Sequence, residues 1–126
     1  MNTPSLTKSV LVVEDDAFLV KAYQMKFQKE GLDVLVAKDG KEALSFLEKE
    51  PPNVLLLDLM LPGMSGFELL TAIRANERWK NIRVLILSNL GQPQDIARGK
   101  ELGVVEYIVK ANVKIADVVE KVKKYL

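Results

Sequence analysis

The sequence predicts an α/β protein, a (βα)5 chain whose doubly wound, five-stranded parallel sheet lies between two layers of helices. Two observations support this fold class. Short runs of branched apolar residues alternate with amphipathic stretches of helical length, which is the pattern of repeated strand–helix units. Residues 54–57 are apolar without interruption, as in a strand buried on both faces. The strand order expected for this winding is 2-1-3-4-5.

The first two strand–helix units occupy the first 50 residues. Strands one and two are predicted at residues 9–14 and 33–37, and helix one at residues 16–30. Helix one ends at Gly31, a residue type that favours helix C-termini. Helix two begins at Asp39, because Glu42 three residues later completes the spacing of a capping box. The predicted apolar faces are Phe18, Ala22 and Met25 in helix one, and Ala43, Leu44 and Leu47 in helix two.

The same alternation continues to the last residue. Strands three, four and five are predicted at residues 53–57, 84–87 and 104–109. Helix three begins with the capping box of Ser65 and Glu68. Helix four begins near Pro93, a favoured first helical residue, and ends before Gly103. Helix five is predicted to be capped by Asn112. The predicted apolar face of helix three consists of Leu69, Leu70 and Ile73. That of helix four is thin and consists of Ile96, Ala97 and Leu102. That of helix five consists of Ile115, Val118, Val119, Val122 and Leu126.

Composition narrows the possible functions. The 126 residues suffice for one domain, expected at residues 8–126 after a flexible tail at residues 1–7. A net charge of +1 provides no domain-wide field for nucleic acid. No apolar stretch approaches the roughly 20 residues of a membrane helix, and no signal peptide is visible. The chain has no cysteine, which is compatible with the expected cytoplasmic location.

The absence of histidine excludes several kinds of catalytic and metal site. It removes Ser-His-Asp and Cys-His catalysis, His-ligated zinc, and any phosphohistidine within this chain. Any phosphoryl donor would therefore have to come from outside these 126 residues.

Carboxylates stand at the C-terminal ends of two predicted strands. Glu14 ends strand one and Asp15 follows it, while Asp58 follows strand three, its neighbour in the expected order. These side chains are expected to meet at the edge where parallel strands end. Packed carboxylates need a cation, and Mg²⁺ suits carboxylate and water ligands with a position left for a phosphate oxygen. Taken alone, the acidic triplet of Glu14, Asp15 and Asp16 would more often be the solvated start of a helix. We assign Asp16 to that role, as the cap of helix one.

Single polar residues stand at the C-terminal ends of strands four and five. Ser88 ends strand four, and Lys110 follows strand five. Alone, each would be an ordinary turn serine or surface lysine, Asp58 a plain strand-end residue, and Tyr107 a packed aromatic. Together they fit phosphoryl transfer, which depends on positioning and charge neutralisation. Asp58 would attack phosphorus, Lys110 would pair with Asp58 and then with phosphate oxygen, and Ser88 would donate to a phosphoryl oxygen.

These residues as a set resemble the receiver domain of response regulators, from about Lys8 to Leu126. The matching segments are residues 12–16, 57–66, 87–89 and 107–110. The resemblance implies the flavodoxin-like, CheY-like three-layer sandwich. It implies that Asp58 accepts a phosphoryl group from a histidine kinase or a histidine phosphotransfer protein. It also implies Mg²⁺ held by Asp15, Asp58 and the backbone carbonyl of Met60, with Glu14 assisting.

The resemblance further implies a switch pair and an output surface. Ser88 and Tyr107 would form the switch pair, and helix four, strand five and helix five would form the output surface, which also offers a possible homodimer contact. The downstream partner would be a protein target or an output domain, with no direct contact to nucleic acid or membrane. The chain would catalyse only its own phosphorylation and dephosphorylation.

The sequence departs from the family pattern at several positions. Proline usually follows the lysine, often after a cis bond, but Ala111 stands here, and a trans bond is expected. Ser65 replaces a commoner aspartate. Met60 and Leu90, two residues beyond Asp58 and Ser88, are apolar and poorly suited to orient an attacking water. We therefore expect slow self-dephosphorylation.

Three other readings remain open at this point. An Mg²⁺ phosphatase with an aspartyl nucleophile would share Asp58 and Lys110, but such enzymes usually carry an acid at the position of Met60 and a cap insertion. A phosphate-independent pseudo-receiver would not need the intact acidic pair. A flavin-binding domain would need a Ser/Thr/Gly phosphate loop after strand one, which is missing.

Overall fold

Strands and helices alternate from Ser9 to Lys123 in the computed structural model, which describes residues 8–126. The strands are β1 (Ser9–Val13), β2 (Asp33–Ala37), β3 (Val54–Leu57), β4 (Arg83–Ser88) and β5 (Glu106–Val109). The helices are α1 (Ala17–Lys29), α2 (Gly40–Lys49), α3 (Gly66–Ala75), α4 (Pro93–Glu101) and α5 (Ile115–Lys123). A 3₁₀ turn at Lys110–Asn112 lies between β5 and α5. The predicted tail, residues 1–7, lies outside the described residues.

The strands form one parallel sheet in the order β2-β1-β3-β4-β5, which confirms the predicted order. Val13 at the end of β1 pairs with Leu57 at the end of β3. The next residue of each strand, Glu14 and Asp58, therefore leaves the sheet beside the other at its C-terminal edge.

Two apolar clusters hold three layers together, because alternate strand residues face opposite sides of the sheet. On one side, Leu11 and Val13 pack with residues of α2 and α3. On the other, Val10 and Val12 pack with residues of α1 and α5. The continuous apolar run of β3 contributes to both clusters, as expected for a central parallel strand. Within residues 8–126, no helix has the length and apolarity needed to cross a bilayer.

The predicted apolar face of α1 is wrong. Phe18 and Met25 are 79% and 63% exposed, whereas Tyr23 and Phe27 are buried. Helix α1 is rich in apolar residues on several sides, so two stripes fit the helical period. The aromatic stripe packs against the sheet and α5, because it buries the larger side chains.

The predicted start of helix five is also wrong. Asn112 lies in the 3₁₀ turn, and α5 begins three residues later, with Lys114 at its N-cap. The Lys110–Ala111 bond is trans, as expected, and no cis bond occurs in the described residues. The predicted N-caps Asp16, Asp39 and Ser65 each accept backbone N–H groups of the following helix. The predicted boundaries of β2 are confirmed, and those of the other strands differ from prediction by one or two residues.

Gly66, the first residue of α3, allows this helix to lie against the end of β3. A Cβ atom at this position would lie 2.5 Å from the Leu59 Cα and 2.6 Å from the Asp58 carbonyl oxygen. Both neighbours belong to the backbone and cannot rotate away. We therefore expect Gly66→Ala to lower the free energy of unfolding by about 1–3 kcal/mol in urea denaturation.

Gly91→Ala is the matched control for this substitution. Its Cβ would meet only the Val109 side chain, at 3.2 Å from Cγ2, which can give way. Equal stability of the two variants would contradict the packing role of Gly66.

Candidate functional site

Three carboxylates meet at the C-terminal edge of the sheet. Glu14 and Asp15 follow β1, Asp58 follows β3, and one oxygen from each lies within 4.8 Å of the others. Glu14 and Asp58 are buried, whereas Asp15 is exposed. The residues predicted to converge therefore lie together, with one carboxylate open to solvent.

Lys110 supplies the positive charge of this cluster. Its Nζ lies 2.7 Å from Glu14 Oε1 and 3.0 Å from Asp58 Oδ2. Lys110 directly follows β5, and β4 separates that strand from β3, so the long side chain extends past β4 to the carboxylates. If all groups are ionised, three carboxylates and one ammonium leave an excess of two negative charges.

Backbone N–H groups fix the two buried carboxylates. Glu14 Oε2 accepts the N–H groups of Asp15 and Asp16, at 3.1 and 3.2 Å. Asp58 Oδ1 accepts the N–H of Met60 at 3.1 Å. The second Asp58 oxygen faces Lys110. These contacts hold the side chains in one orientation, which favours a reaction that depends on positioning.

Burial and neighbouring charges shift the pKa values of two residues in this cluster, Glu14 and Lys110. Burial raises the pKa of Glu14, and the charge of Asp58 adds to this, while the contact with Lys110 opposes it. Burial alone would lower the pKa of Lys110, but its contacts with Glu14 and Asp58 outweigh burial and raise the pKa above its usual value. Lys110 therefore stays charged and supports both carboxylates.

The predicted switch pair is connected through the backbone of one residue, Leu90, which sequence reasoning missed. Ser88 is fully buried at the end of β4, and its Oγ accepts the Leu90 N–H at 3.2 Å. The Tyr107 hydroxyl donates to the Leu90 carbonyl oxygen. Because Leu90 acts here through its backbone, its side chain gave no signal in the sequence.

Large apolar side chains are exposed around the carboxylates. Phe18 lies in the first turn of α1, three residues after Asp15, and Met60 lies two residues after Asp58. Met25 is exposed two turns further along α1. The role of the Met60 carbonyl oxygen as a metal ligand stays a prediction.

The fold and this edge define a class of protein: a doubly wound α/β domain with an acidic cluster and a lysine at the C-terminal ends of its strands. The sequence matches the family model of the response regulator receiver domain over residues 10–123, and the chain belongs to this family.

Known proteins similar to this chain agree with that assignment. Sporulation initiation phosphotransferase F of Bacillus subtilis (strain 168) is 34% identical over 121 residues, which cover 96% of this chain and 95% of that protein. DNA-binding response regulator MtrA of Mycobacterium tuberculosis (strain ATCC 25618 / H37Rv) is 34% identical over 106 residues, covering 84% of this chain but 45% of that protein. This chain therefore spans less than half the length of MtrA.

Solved structures show the same fold. Chemotaxis protein CheY4 of Vibrio cholerae has a TM-score of 0.86 at 28% identity, with 95% of this chain and 99% of that chain covered. The BeF3-activated receiver domain of Klebsiella pneumoniae RstA has a TM-score of 0.83 at 26% identity, with coverages of 94% and 97%.

Removing Lys110 should leave two buried carboxylates without a cation. We expect Lys110→Met to destabilise the metal-free protein near the lower end of the about 3–5 kcal/mol seen when one partner of a buried pair is lost. The lower end applies because 18% of the Lys110 side chain is exposed. Urea denaturation measures this loss.

Lys114→Met, at an exposed lysine near the same turn, is the control and should stay within about 0.5 kcal/mol of wild type. Adding Glu14→Gln to Lys110→Met should recover part of the loss. A Lys110→Met variant as stable as the control would show that the ion pairs contribute nothing.

Proposed function

We propose that this receiver domain is a phospho-switch in which Asp58 accepts a phosphoryl group from a histidine kinase or a histidine phosphotransfer protein. The observation that carries this proposal is the contact of one Asp58 oxygen with Lys110, beside two further carboxylates that follow the adjacent strand β1. A nucleophile, a cation for the transferred oxygens and ligands for a metal are thus combined at one edge.

The residues present fit Mg²⁺. Their donors are hard oxygens, and the excess negative charge around buried Glu14 and Asp58 favours a divalent ion. Asp15, Asp58 and the Met60 carbonyl would hold it, with Glu14 assisting. When bound, the ion would neutralise charge on the attacking carboxylate and the phosphoryl oxygens.

In the proposed reaction, a carboxylate oxygen of Asp58 forms a bond to phosphorus while the bond from phosphorus to the donor nitrogen breaks. The acyl phosphate stays on Asp58 and the electron pair leaves with the histidine nitrogen. Lys110 then pairs with a phosphoryl oxygen, and the Ser88 hydroxyl donates to another. The donor histidine must lie outside these 126 residues, which contain none.

The surface near Asp58 favours a protein donor. Phe18 and Met60 expose apolar area close to the carboxylates, and Met25 extends it along α1. The sequence of α1 carries three lysines and no acidic residue. A partner with an apolar and acidic helical surface would complement this face.

The proposed output follows from the weakly packed side of the domain. Repacking of Tyr107 and α4 would change the surface of α4, β5 and α5, which would contact a protein target, an output domain or a second copy of the chain. Catalysis would be limited to the chain's own phosphorylation and dephosphorylation. Absence of direct nucleic acid contact and a cytoplasmic location stay predictions.

The acceptor role of Asp58 is tested by intact mass after incubation with acetyl phosphate and Mg²⁺. We expect one phosphoryl adduct on the wild type, none on Asp58→Asn, and none when the metal is chelated. Asp16→Asn, which changes the neighbouring helix cap, is the control and should keep the adduct.

An adduct that persists in Asp58→Asn would refute the assignment. Sustained hydrolysis of unrelated phosphoesters would favour the aspartyl phosphatase instead.

The lifetime of the adduct is a separate prediction. The side chains of Met60 and Leu90 cannot orient a water for attack on the acyl phosphate. We expect Met60→Asn/Leu90→Glu to lose the phosphoryl group about ten- to a hundredfold faster after donor removal, at or below the lower end of what positioned polar groups contribute.

Met60→Leu is the apolar control and should decay at the wild-type rate. If the polar double variant also decays at that rate, the two positions do not limit hydrolysis.

A further inference from the structure

Gly99 is the only buried residue of α4. Its φ is not in the left-handed region, which in the described residues is occupied by Gly31, Gly63 and Gly103. The backbone conformation at Gly99 therefore suits any residue, and glycine is disfavoured inside helices relative to alanine. What glycine contributes at this position is space.

The ring of Tyr107 occupies that space. A Cβ atom on Gly99 would lie 2.9 Å from Tyr107 Cδ2 and 3.1 Å from Ile86 Cδ1. Ile86 is fully buried in the sheet and has little freedom to move. Tyr107 is half-buried at the surface, so its ring is the group that can be displaced.

The position of this ring is connected to the acceptor site through hydrogen bonds. The Tyr107 hydroxyl donates to the Leu90 carbonyl, and the Leu90 N–H donates to Ser88 Oγ. The bond from Leu90 uses a lone pair of the Ser88 hydroxyl and leaves its proton free. That proton is the one that would be donated to a phosphoryl oxygen.

Few other contacts fix α4. Ile96 is half-buried and Ala97 exposed. The Arg98 guanidinium lies 4.3 Å from the centroid of the Phe67 ring, a cation–π contact with α3. Gly99 is thus the one buried residue of α4, and it lies against the Tyr107 ring.

We propose that Gly99 is the positioning residue that allows Tyr107 to pack inward against α4 and so couples this helix to the phosphoryl-acceptor site. The coupling to phosphorylation rests on the function proposed above. The inward ring keeps Leu90 and Ser88 in an arrangement ready for a phosphoryl oxygen. By linkage, a phosphoryl group on Asp58 favours the inward ring to the same extent.

The test replaces Gly99 by alanine in protein labelled with 3-fluorotyrosine. The ¹⁹F resonance of Tyr107, identified with Tyr107→Phe, is followed during titration with beryllofluoride and Mg²⁺. We expect Gly99→Ala to move this resonance toward that of a solvent-exposed tyrosine. The half-saturating beryllofluoride concentration should rise up to about tenfold, the equivalent of one lost hydrogen bond.

Two further variants separate this role from a general effect on the helix. Lys100→Ala changes an exposed neighbour in α4 and should behave as wild type. Gly99→Ala in a Tyr107→Ala background has no ring to displace, and should bind beryllofluoride as Tyr107→Ala alone does. The binding of these two variants is followed by amide NMR.

Each outcome decides the proposal. An unchanged Tyr107 resonance in Gly99→Ala, or the same loss of affinity with and without the ring, overturns it. If Gly99→Ala fails to fold, a folded Gly99→Ala/Tyr107→Ala supports the proposed collision, and an unfolded one refutes it. The position of the Tyr107 ring is measured without ligand. This measurement therefore tests the role of Gly99 even if wild-type Asp58 does not take up phosphate.

Discussion

The site depends on one ammonium group that lies between two buried carboxylates. Lys110 Nζ contacts Glu14 and Asp58 at once, although its strand is separated from β3 by β4. Without this cation, two like charges would share a poorly solvated edge of the sheet, where their repulsion is weakly screened. The parallel sheet makes the arrangement possible, since it places the ends of β1, β3 and β5 on one side of the molecule. A phosphoryl group bound at Asp58 would compete for the same ammonium, so the interaction that stabilises the resting site also links it to the chemistry.

Much of this arrangement could be predicted from the sequence, because apolar runs determine where buried strands end. The strand order and the convergence of Glu14, Asp15, Asp58 and Lys110 follow from that pattern. Periodicity fails where it is ambiguous: α1 carries two apolar stripes, and only packing against α5 decides that Phe27 is buried and Phe18 exposed. Backbone hydrogen bonds leave no signal in residue type, which is why the connection of Ser88 with Tyr107 through the Leu90 backbone was missed. The role of Gly99 requires knowledge of what lies opposite it in space.

The segment after β5 shows how the site tolerates the departure from the family pattern. Ala111 stands where the family usually has proline, and its peptide bond with Lys110 is trans. A 3₁₀ turn follows at Lys110–Asn112, and α5 begins only at Ile115, later than the predicted Asn112 cap. The turn changes the direction of the chain after Lys110 has left the sheet. The Lys110 ammonium contacts Glu14 and Asp58 with alanine at the next position.

The two chemical functions of Leu90 act through different atoms. Its N–H and carbonyl connect Ser88 with Tyr107, while its side chain lies at the position expected to influence water attack on the acyl phosphate. A substitution at this position changes the side chain but keeps both backbone groups. The lifetime of the phosphorylated state can therefore vary with little effect on the connection between the acceptor site and α4. A substitution of Gly99 would have the opposite effect. It would alter the packing of Tyr107 without adding any group near Asp58. Under these proposals the duration of a signal depends on the side chains of Met60 and Leu90, whereas its transmission depends on the Leu90 backbone and on the packing of Gly99 against Tyr107.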